Sequence, residues 1–166
     1  MKSLILDKAA LKQKIVRLAY EIVEDQFEEK EICLVGVLQG GFQIAKLLKK
    51  EIQKIKGIPV SISSIKVHKE NPLVSPTELS EEISYYNGKA VIIVDDVANS
   101  GRTIFYAFQQ FLNIIPKTVK VAVLVDRKHK KFPVHCDYVG TSLGTTIKEH
   151  IEVVFSGSQV EAAYLS

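Results

Sequence analysis

The strongest constraint on the fold of this chain comes from its runs of almost continuous apolar residues, which are Ile32–Leu38, Ala90–Val94 and Val119–Val125. Runs of this length and composition are typical of β-strands that are buried on both faces. Such strands need a layer of helices above and below their sheet. The runs therefore predict a parallel sheet at the centre of an α/β domain.

Patterns typical of helices separate these strands. Apolar residues recur at helical spacing through Lys8–Phe27, and further helices are predicted at Phe42–Ile55 and Thr103–Ile115. Val60–Val67 alternates apolar and polar residues, which indicates a half-buried strand. Alternating strands and helices predict a doubly wound sheet with right-handed crossovers, which binds ligands at the carboxyl ends of its strands.

Length and periodicity indicate the domain organisation. A chain of 166 residues is ordinary for one α/β domain, so we expect a single domain that spans the whole sequence. His68–Lys89 has no sustained periodicity, and a loop of that length in a compact domain is usually a functional lid. We therefore expect a mobile loop over this range. Val160–Leu165 is expected to pack as a short segment without an assignable role.

The composition disfavours several classes of protein. No apolar run approaches the roughly 18 residues of a membrane span, and Met1–Asp7 is too short for the apolar region of a signal peptide. We therefore expect a cytoplasmic protein without a membrane partner. Cys33 and Cys136 have no metal-ligand spacing, and a reducing compartment disfavours a disulfide between them. The net charge of +3 does not by itself indicate nucleic-acid binding.

The most informative local segment is Val91–Thr103, which combines an apolar strand, two carboxylates, a loop of small residues and the start of a helix. Backbone N–H groups at the start of a helix bind anions, and Gly101 lets the backbone approach a phosphate closely. Asp95 and Asp96 stand where the strand leaves the sheet, so they can accept hydrogen bonds from ribose hydroxyls. The segment therefore suits a ribose 5′-phosphate.

A purely structural explanation of this segment stays open at this point. Asn99 and Ser100 could cap the helix, and the two carboxylates would favour its positive end. Two other phosphate-binding motifs are absent from the sequence, since it has no Gly-x4-Gly-Lys-Ser/Thr and no Gly-x-Gly-x-x-Gly after a strand. A P-loop and a dinucleotide-binding fingerprint are thereby excluded.

The segment Val91–Thr103 closely resembles the phosphoribosyl pyrophosphate signature of type I phosphoribosyltransferases, in which apolar residues precede an acidic pair and a Thr-Gly-Arg/Lys-Thr loop. Ser100 replaces the usual Thr and keeps the hydroxyl. The resemblance implies the type I phosphoribosyltransferase fold, an α/β fold with a doubly wound, mostly parallel sheet flanked by helices and a small hood or flexible loop. It also implies that the substrate is bound by the loop residues Val97, Ala98, Asn99, Ser100, Gly101, Arg102 and Thr103.

Other segments resemble particular branches of this family. Leu34–Gly41 resembles the pyrophosphate loop of hypoxanthine phosphoribosyltransferases. Leu124–His129 and Phe132–Gly140 resemble the bacterial pyrimidine-operon regulator that has uracil phosphoribosyltransferase activity. The resemblance covers nearly the whole chain and implies a transferase of nucleotide salvage, which converts a nucleobase and phosphoribosyl pyrophosphate to a nucleoside 5′-monophosphate and pyrophosphate. Uracil is the favoured base.

The same resemblance implies roles for individual residues. The pyrophosphate loop, which often has a non-proline cis bond between its first two residues, would consist of Leu38, Gln39 and Gly40. Asp95, Asp96 and Arg127 would be the catalytic residues. Mg²⁺ would be the cofactor, held by Asp95 and Asp96 indirectly, through ribose hydroxyls or water. An exposed, solvated cation is the competing explanation for Arg127 and the preferred one for Lys128, Lys130 and Lys131.

The resemblance also bears on the choice of base. Tyr138 and Val139 match a pair of residues that lie against the base in related enzymes, although core packing would explain both equally well. Purine-specific relatives have a Lys at the position of Asp126, which disfavours hypoxanthine and guanine here. A purine enzyme stays an alternative.

The chain departs from the regulator's pattern in two places. His68-Lys69-Glu70-Asn71 stands in place of Tyr-Arg-Asp-Asp, and Lys69 lacks the planar fork of Arg, so we expect a less organised closure over pyrophosphate. Leu143-Gly144-Thr145-Thr146 stands in place of Ile-Pro-Thr-Ser, so we expect looser base selectivity.

A nucleotide-sensing, RNA-binding regulator is the alternative from a different class. The basic cluster Arg127–Lys131 suits phosphate contacts, and Arg17 matches the family's RNA-binding face. Val16, Tyr20 and His135 replace other residues of that face, so catalysis is favoured over regulation. A catalytically silent nucleotide sensor is a third hypothesis. The resemblance also implies a homodimer or a larger homo-oligomer.

Overall fold

The computed structural model describes residues 2–68, 70–74, 77–144 and 149–166. Within these ranges the chain forms two sheets, one of six strands and one of three strands. The strands and α-helices in chain order are β1 (Ser3–Leu6), α1 (Lys8–Asp25), β2 (Ile32–Val37), α2 (Gly40–Ile55), β3 (Val60–Lys66), β4 (Glu78–Leu79), β5 (Ala90–Ala98), α3 (Arg102–Phe108), β6 (Thr118–Arg127), β7 (Tyr138–Leu143), β8 (Ile151–Ser156) and β9 (Gln159–Leu165).

The larger sheet has the strand order β4-β3-β2-β5-β6-β7. Its neighbouring strands are parallel except for β4, which pairs antiparallel with β3. Every residue of β2 is buried, as its continuous apolar sequence predicts. The carboxyl ends of the five parallel strands therefore lie at one edge, where ligands bind in this architecture.

Helices cover both faces of this sheet. Leu18 of α1 and Leu48 of α2 pack with Ile92 on one face. Ala107 of α3 and Phe111, which follows it in a 3-10 helix, pack with the other face. This arrangement confirms the predicted doubly wound sheet, although α3 is shorter than the predicted helix and continues as the 3-10 helix Gln109–Asn113.

The smaller sheet has the order β1-β9-β8 and corresponds to the expected hood. The predicted packed segment Val160–Leu165 is most of strand β9, which pairs antiparallel with both β1 and β8. Val160, Ala162 and Ala163 are buried, so this strand contributes apolar side chains to the interior. The hood is thus joined to the rest of the domain through a common core.

The segment predicted as a mobile loop contains ordered elements in its second half. Strand β4 pairs with β3, and the 3-10 helix Ile83–Tyr86 buries Tyr86, whose hydroxyl is 2.5 Å from the Ser63 hydroxyl. The sequence did not predict this packing, because the packing depends on one large aromatic residue and one residue produces no periodicity. Lys69, in the departure from the family pattern, lies outside the described residues, as do Ser75 and Pro76.

Two further expectations concern the whole chain. No helix in the described ranges is long and apolar enough to span a membrane. Cys33 and Cys136 are both free thiols. Burial, with a contribution from the nearby Asp126 carboxylate, raises the pKa of the Cys136 thiol to about 12. Burial also raises the pKa of the Cys33 thiol. Neither thiol is therefore activated as a nucleophile, because the thiolate is the reactive form.

Candidate active site

The two adjacent carboxylates lie on strand β5, which extends to Ala98 rather than ending at Val94. Asp95 pairs with Val123 of β6, and the ladder continues to Ala98 opposite Asp126. The sequence Asn99-Ser100-Gly101 then turns the chain into α3. Gly101 has φ of +82°, in the left-handed region where glycine alone is free of strain. The glycine is therefore needed by the turn itself.

This turn forms one wall of a pocket with a volume of about 310 Å³. The wall is continuous in sequence from Asp95 to Ile104, so it includes both carboxylates and every predicted residue of the phosphoribosyl loop. A pocket of this size is at the lower end of the range for small-molecule sites. The structure thus brings together the residues that the sequence singled out in this segment.

The pocket is also lined by His150, Ile151, Glu152 and Val153. These residues belong to the start of β8 and the residue before it, and the sequence analysis did not identify them. No local signal points to them, because they reach the pocket only through the packing of the hood. His150 and Glu152 are exposed, and the Glu152 carboxylate accepts a hydrogen bond from Nζ of Lys2 at 2.6 Å.

Backbone hydrogen bonds orient the acidic pair. Oδ1 of Asp95 accepts from the N–H of Asp96 at 2.9 Å, and Oδ1 of Asp96 accepts from the N–H of Val97 at 2.9 Å. Asp95 is only 8% exposed, whereas Asp96 is half-buried. One oxygen of each carboxylate is therefore bound to the neighbouring backbone, which fixes the direction of the other.

The predicted pyrophosphate loop lies between β2 and α2. The peptide bond between Leu38 and Gln39 is cis, as the resemblance implies, and α2 begins at Gly40. These residues are not part of the pocket wall described above, but they border the acidic pair: a Cβ at position 40 would lie 2.3 Å from Oδ2 of Asp96. The loop and the acidic pair are thus direct neighbours.

Arg127 ends strand β6 at the same edge of the sheet. Its Nη1 donates to Oδ1 of Asn99 at 3.4 Å, so it contacts the phosphate loop. Lys130 differs from the sequence-based expectation of a solvated cation. Its ammonium group donates to the Asp126 carboxylate and to the Arg127 carbonyl, and its side chain is only 17% exposed. No sequence pattern predicts this contact, because the chain folds back after β6 without a regular element.

The structure does not bring Tyr138 to the pocket, which corrects the expectation that it lies against the base. Tyr138 is 4% exposed in the main core, its hydroxyl donates to the Asp25 carboxylate, and Nε2 of Gln26 donates to it at 3.0 Å. The reason is its position on β7: Tyr138 stands opposite Ala122, at the amino end, whereas Leu143 stands opposite Arg127. Burial and the Asp25 carboxylate raise the pKa of this hydroxyl far above its ordinary value.

Val139 is likewise occupied in packing. Its side chain packs against the cluster that contains Ala98 and Ile104, and its carbonyl accepts from Nη2 of Arg17 at 3.0 Å. Arg17 also donates to the Gly140 carbonyl, so it ties α1 to β7. These contacts are those of a packed residue, and a contact between Val139 and the base stays a prediction. Thr145 and Thr146, the other residues considered for the base, lie outside the described residues.

Comparisons with known proteins agree with this geometry. A family model described as the phosphoribosyl transferase domain matches residues 2–155. The bifunctional protein PyrR of Caldicellulosiruptor bescii is 33% identical over 160 residues, which cover 90% of this chain and 86% of that protein. The PyrR protein of Bacillus pumilus is 32% identical, with 92% of this chain and 89% of the relative covered.

Solved structures give the same result. A hypoxanthine-guanine phosphoribosyltransferase from Bacillus anthracis matches with a TM-score of 0.71 at 28% identity, over 85% of this chain and 82% of that chain. A hypoxanthine phosphoribosyl transferase from Trypanosoma cruzi matches with a TM-score of 0.75 at 17% identity, over 96% and 90% of the two chains. At this identity the second match shows a shared fold only. Together the matches confirm the type I phosphoribosyltransferase fold.

Proposed function

Because the chain belongs to the family of phosphoribosyl transferase domains, we propose that it transfers the phosphoribosyl group of phosphoribosyl pyrophosphate to a nucleobase, with uracil preferred. The observation that supports this most directly is the continuous wall from Asp95 to Ile104, which joins the acidic pair to a left-handed phosphate turn in one pocket. The products are a nucleoside 5′-monophosphate and pyrophosphate.

Different residues of the wall bind different parts of the substrate. Backbone N–H groups and hydroxyls from Ser100 to Thr103 bind the 5′-phosphate, because a turn that exposes consecutive N–H groups is an anion site. Asp95 and Asp96 accept hydrogen bonds from the ribose hydroxyls. The loop at Gly40 and the Arg127 guanidinium lie on the side of the leaving pyrophosphate, where positive charge and N–H donors stabilise the charge that develops in an oxocarbenium-like transition state.

The acidic pair also fits Mg²⁺. This ion prefers carboxylate oxygens, keeps several waters, and is usually bound by one or two carboxylates together with substrate phosphates. Asp95 and Asp96 would hold the ion jointly with the substrate, through ribose hydroxyls or water. When bound, Mg²⁺ would neutralise charge on the leaving pyrophosphate.

The preference for uracil depends on two arguments. One is the resemblance of Leu124–His129 and Phe132–Gly140 to the pyrimidine-operon regulator. The other is Asp126, an acid where purine-specific relatives have a Lys. Lys130 does bring an ammonium group to Asp126, but that group is already engaged in hydrogen bonds within the protein. The hypoxanthine-guanine enzymes among the structural relatives keep a purine base as the second candidate.

The resemblance to the pyrimidine-operon regulator gives nucleotide-sensing, RNA-binding regulation as a further candidate activity. The exposed residues Lys128, His129 and Lys131 belong to the segment after β6, in which the N–H of Lys131 donates to the Ser100 carbonyl, and they could contact an RNA backbone. Such binding would weaken steeply with salt, because each neutralised phosphate releases counterions. A simple transferase would show no such binding.

A homo-oligomer and a cytoplasmic location stay predictions. Light scattering would measure the oligomeric state.

The experiment that tests the proposal is pyrophosphate release from phosphoribosyl pyrophosphate and Mg²⁺, with uracil, hypoxanthine, guanine, xanthine and adenine supplied separately. Faster turnover with uracil than with any other base supports the proposal. Turnover with a purine alone would show that the substrate is a purine and not uracil. Substrate binding without turnover would favour the sensor or the regulator. The double variant Asp95→Asn/Asp96→Asn should lose binding, whereas the surface variant Glu161→Gln should keep it. Retained binding in the double variant would overturn the site.

A further inference from the structure

The phosphate turn is packed against a second segment, Lys130–Val134, which follows β6. The backbone N–H groups of Lys131 and Phe132 donate to the Ser100 carbonyl at 2.9 and 3.2 Å. The side chain of Val134 lies 3.3 Å from the position that a Cβ on Gly101 would occupy. The turn is therefore held from outside the pocket by residues that line no part of it.

Lys130 has the central position in this packing. Its ammonium group donates to the carboxylate of Asp126, to the carbonyl of Arg127 and, at 3.4 Å, to the carbonyl of Ala98. An ammonium group has three N–H donors, and these three acceptors use them all. Lys130 is thus engaged within the protein and is not directed at a substrate.

The acceptors of Lys130 belong to two strands. Ala98 is the last residue of β5, and Asp126 stands opposite it on β6. Lys130 therefore joins the ends of two neighbouring strands at the point where the phosphate turn begins and where the Arg127 side chain leaves the sheet. The side chains of Lys130 and Asp126 are only 17% and 20% exposed, so solvent screens this ion pair less than an ordinary surface pair.

We propose that Lys130 is a positioning residue of the phosphoribosyl pocket. By joining Ala98 to Asp126 and Arg127, it holds the phosphate turn in its binding geometry before the substrate arrives. This proposal rests on the proposed function of the same pocket. Without Lys130 the turn has to be ordered when the substrate binds, and that cost is subtracted from affinity. The loss falls on binding rather than on the chemical step, because the Lys130 ammonium donates only within the protein and Lys130 does not line the pocket.

The test compares Lys130→Met with Lys128→Met. Methionine keeps most of the apolar stem and removes the charge, and Lys128 is exposed in the same segment, so both variants change the long-range electrostatics alike. We expect Lys130→Met to raise KM and Kd for phosphoribosyl pyrophosphate about tenfold, with kcat within about twofold of the wild type. Lys128→Met should leave all three constants unchanged, and Lys130→Arg should restore most of the affinity because it retains charge and donors.

Hydrogen exchange gives a readout that needs no substrate. In Lys130→Met the amides from Asn99 to Arg102 should exchange faster than in the wild type, while the amides of β2 keep their protection. A wild type that does not bind phosphoribosyl pyrophosphate would overturn the proposed function itself. If the wild type binds, equal constants for the Lys130→Met and Lys128→Met variants would overturn the positioning role, and so would a fall in kcat with unchanged KM. Faster exchange throughout the sheet would indicate general destabilisation and would likewise overturn it.

Discussion

Gly40 and Asp96 are packed so closely that position 40 has no room for a side chain. A Cβ at Gly40 would lie 2.3 Å from Oδ2 and 2.5 Å from Cγ of Asp96. Real Cβ contacts do not occur at such distances, so one partner would have to move. The start of α2 therefore packs directly against the acidic pair at the end of β5. This contact couples the proposed pyrophosphate loop to the proposed ribose site.

This contact predicts that Gly40→Ala weakens function as well as stability. To relieve the contact, the Asp96 carboxylate has to turn aside and give up the hydrogen bond that it accepts from the N–H of Val97. Overpacking costs about 1–3 kcal/mol, and we expect kcat/KM for phosphoribosyl pyrophosphate to fall at least tenfold, since ~1.4 kcal/mol corresponds to that factor. Steady-state kinetics and a thermal unfolding curve measure the two effects.

Gly57→Ala is the matched control for that variant. Nothing lies within 4 Å of the position of a Cβ at Gly57, which follows the other end of α2. We expect its kinetics to equal those of the wild type. If Gly40→Ala also keeps wild-type kinetics, the position of the Asp96 carboxylate beside Gly40 does not matter for the reaction.

Gly101 and Gly157 allow a second comparison, because both have a left-handed backbone, with φ of +82° and +58°. Alanine in that region costs roughly 1–2 kcal/mol, so both alanine variants should lose a similar amount of stability in urea. Only Gly101→Ala should weaken phosphoribosyl pyrophosphate binding, because its Cβ would lie 3.3 Å from Lys130 and Val134, whereas Gly157 has open space around it. Equal affinities in the two variants would show that the turn at Gly101 does not contact substrate.

The parts of this structure that the sequence could predict are those with a repeated physical signal. Strand β2 is buried at every residue and appears as an unbroken apolar run, and α1 shows its buried face at helical spacing. The turn before α3 was predictable because Gly101 follows the acidic pair closely in sequence. In each case the structural cause lies within a few residues of the residue it affects.

The features that escaped prediction depend on contacts between distant residues. His150 faces the phosphate turn only because the hood packs over the sheet, and Lys130 is covered only because its segment folds back across the end of β6. Strand β5 continues through Asp95 and Asp96 although carboxylates interrupt the apolar run, because β6 supplies its hydrogen bonds. The local sequence pattern does not indicate which distant residues these segments contact.

The core position of Tyr138 leads to a third prediction. Tyr138→Phe removes a buried hydroxyl that donates to Asp25 and accepts from the buried Gln26, so we expect a loss of about 1–3 kcal/mol in the free energy of unfolding. KM for the base should not change, because Tyr138 does not line the pocket and its hydroxyl is engaged with Asp25 and Gln26. Tyr20→Phe is the control, since Tyr20 is 58% exposed. A raised KM for the base without a loss of stability would indicate that Tyr138 contacts the base after all.

The last prediction concerns pH. Hydrogen bonds from Lys120 and from the Tyr138 hydroxyl hold the pKa of Asp25 below its ordinary value. A carboxylate whose pKa is lowered by folding stabilises the native state above its unfolded pKa, which is about 4, and this contribution is lost as the pH falls through the folded pKa. Asp25→Asn keeps an acceptor for both partners and removes the charge. We therefore expect the wild type to exceed this variant in unfolding free energy by a constant amount near pH 7, and the difference to shrink below about pH 4. Urea unfolding between pH 7 and pH 3 measures it, and a difference that is independent of pH would contradict the assigned ion pair.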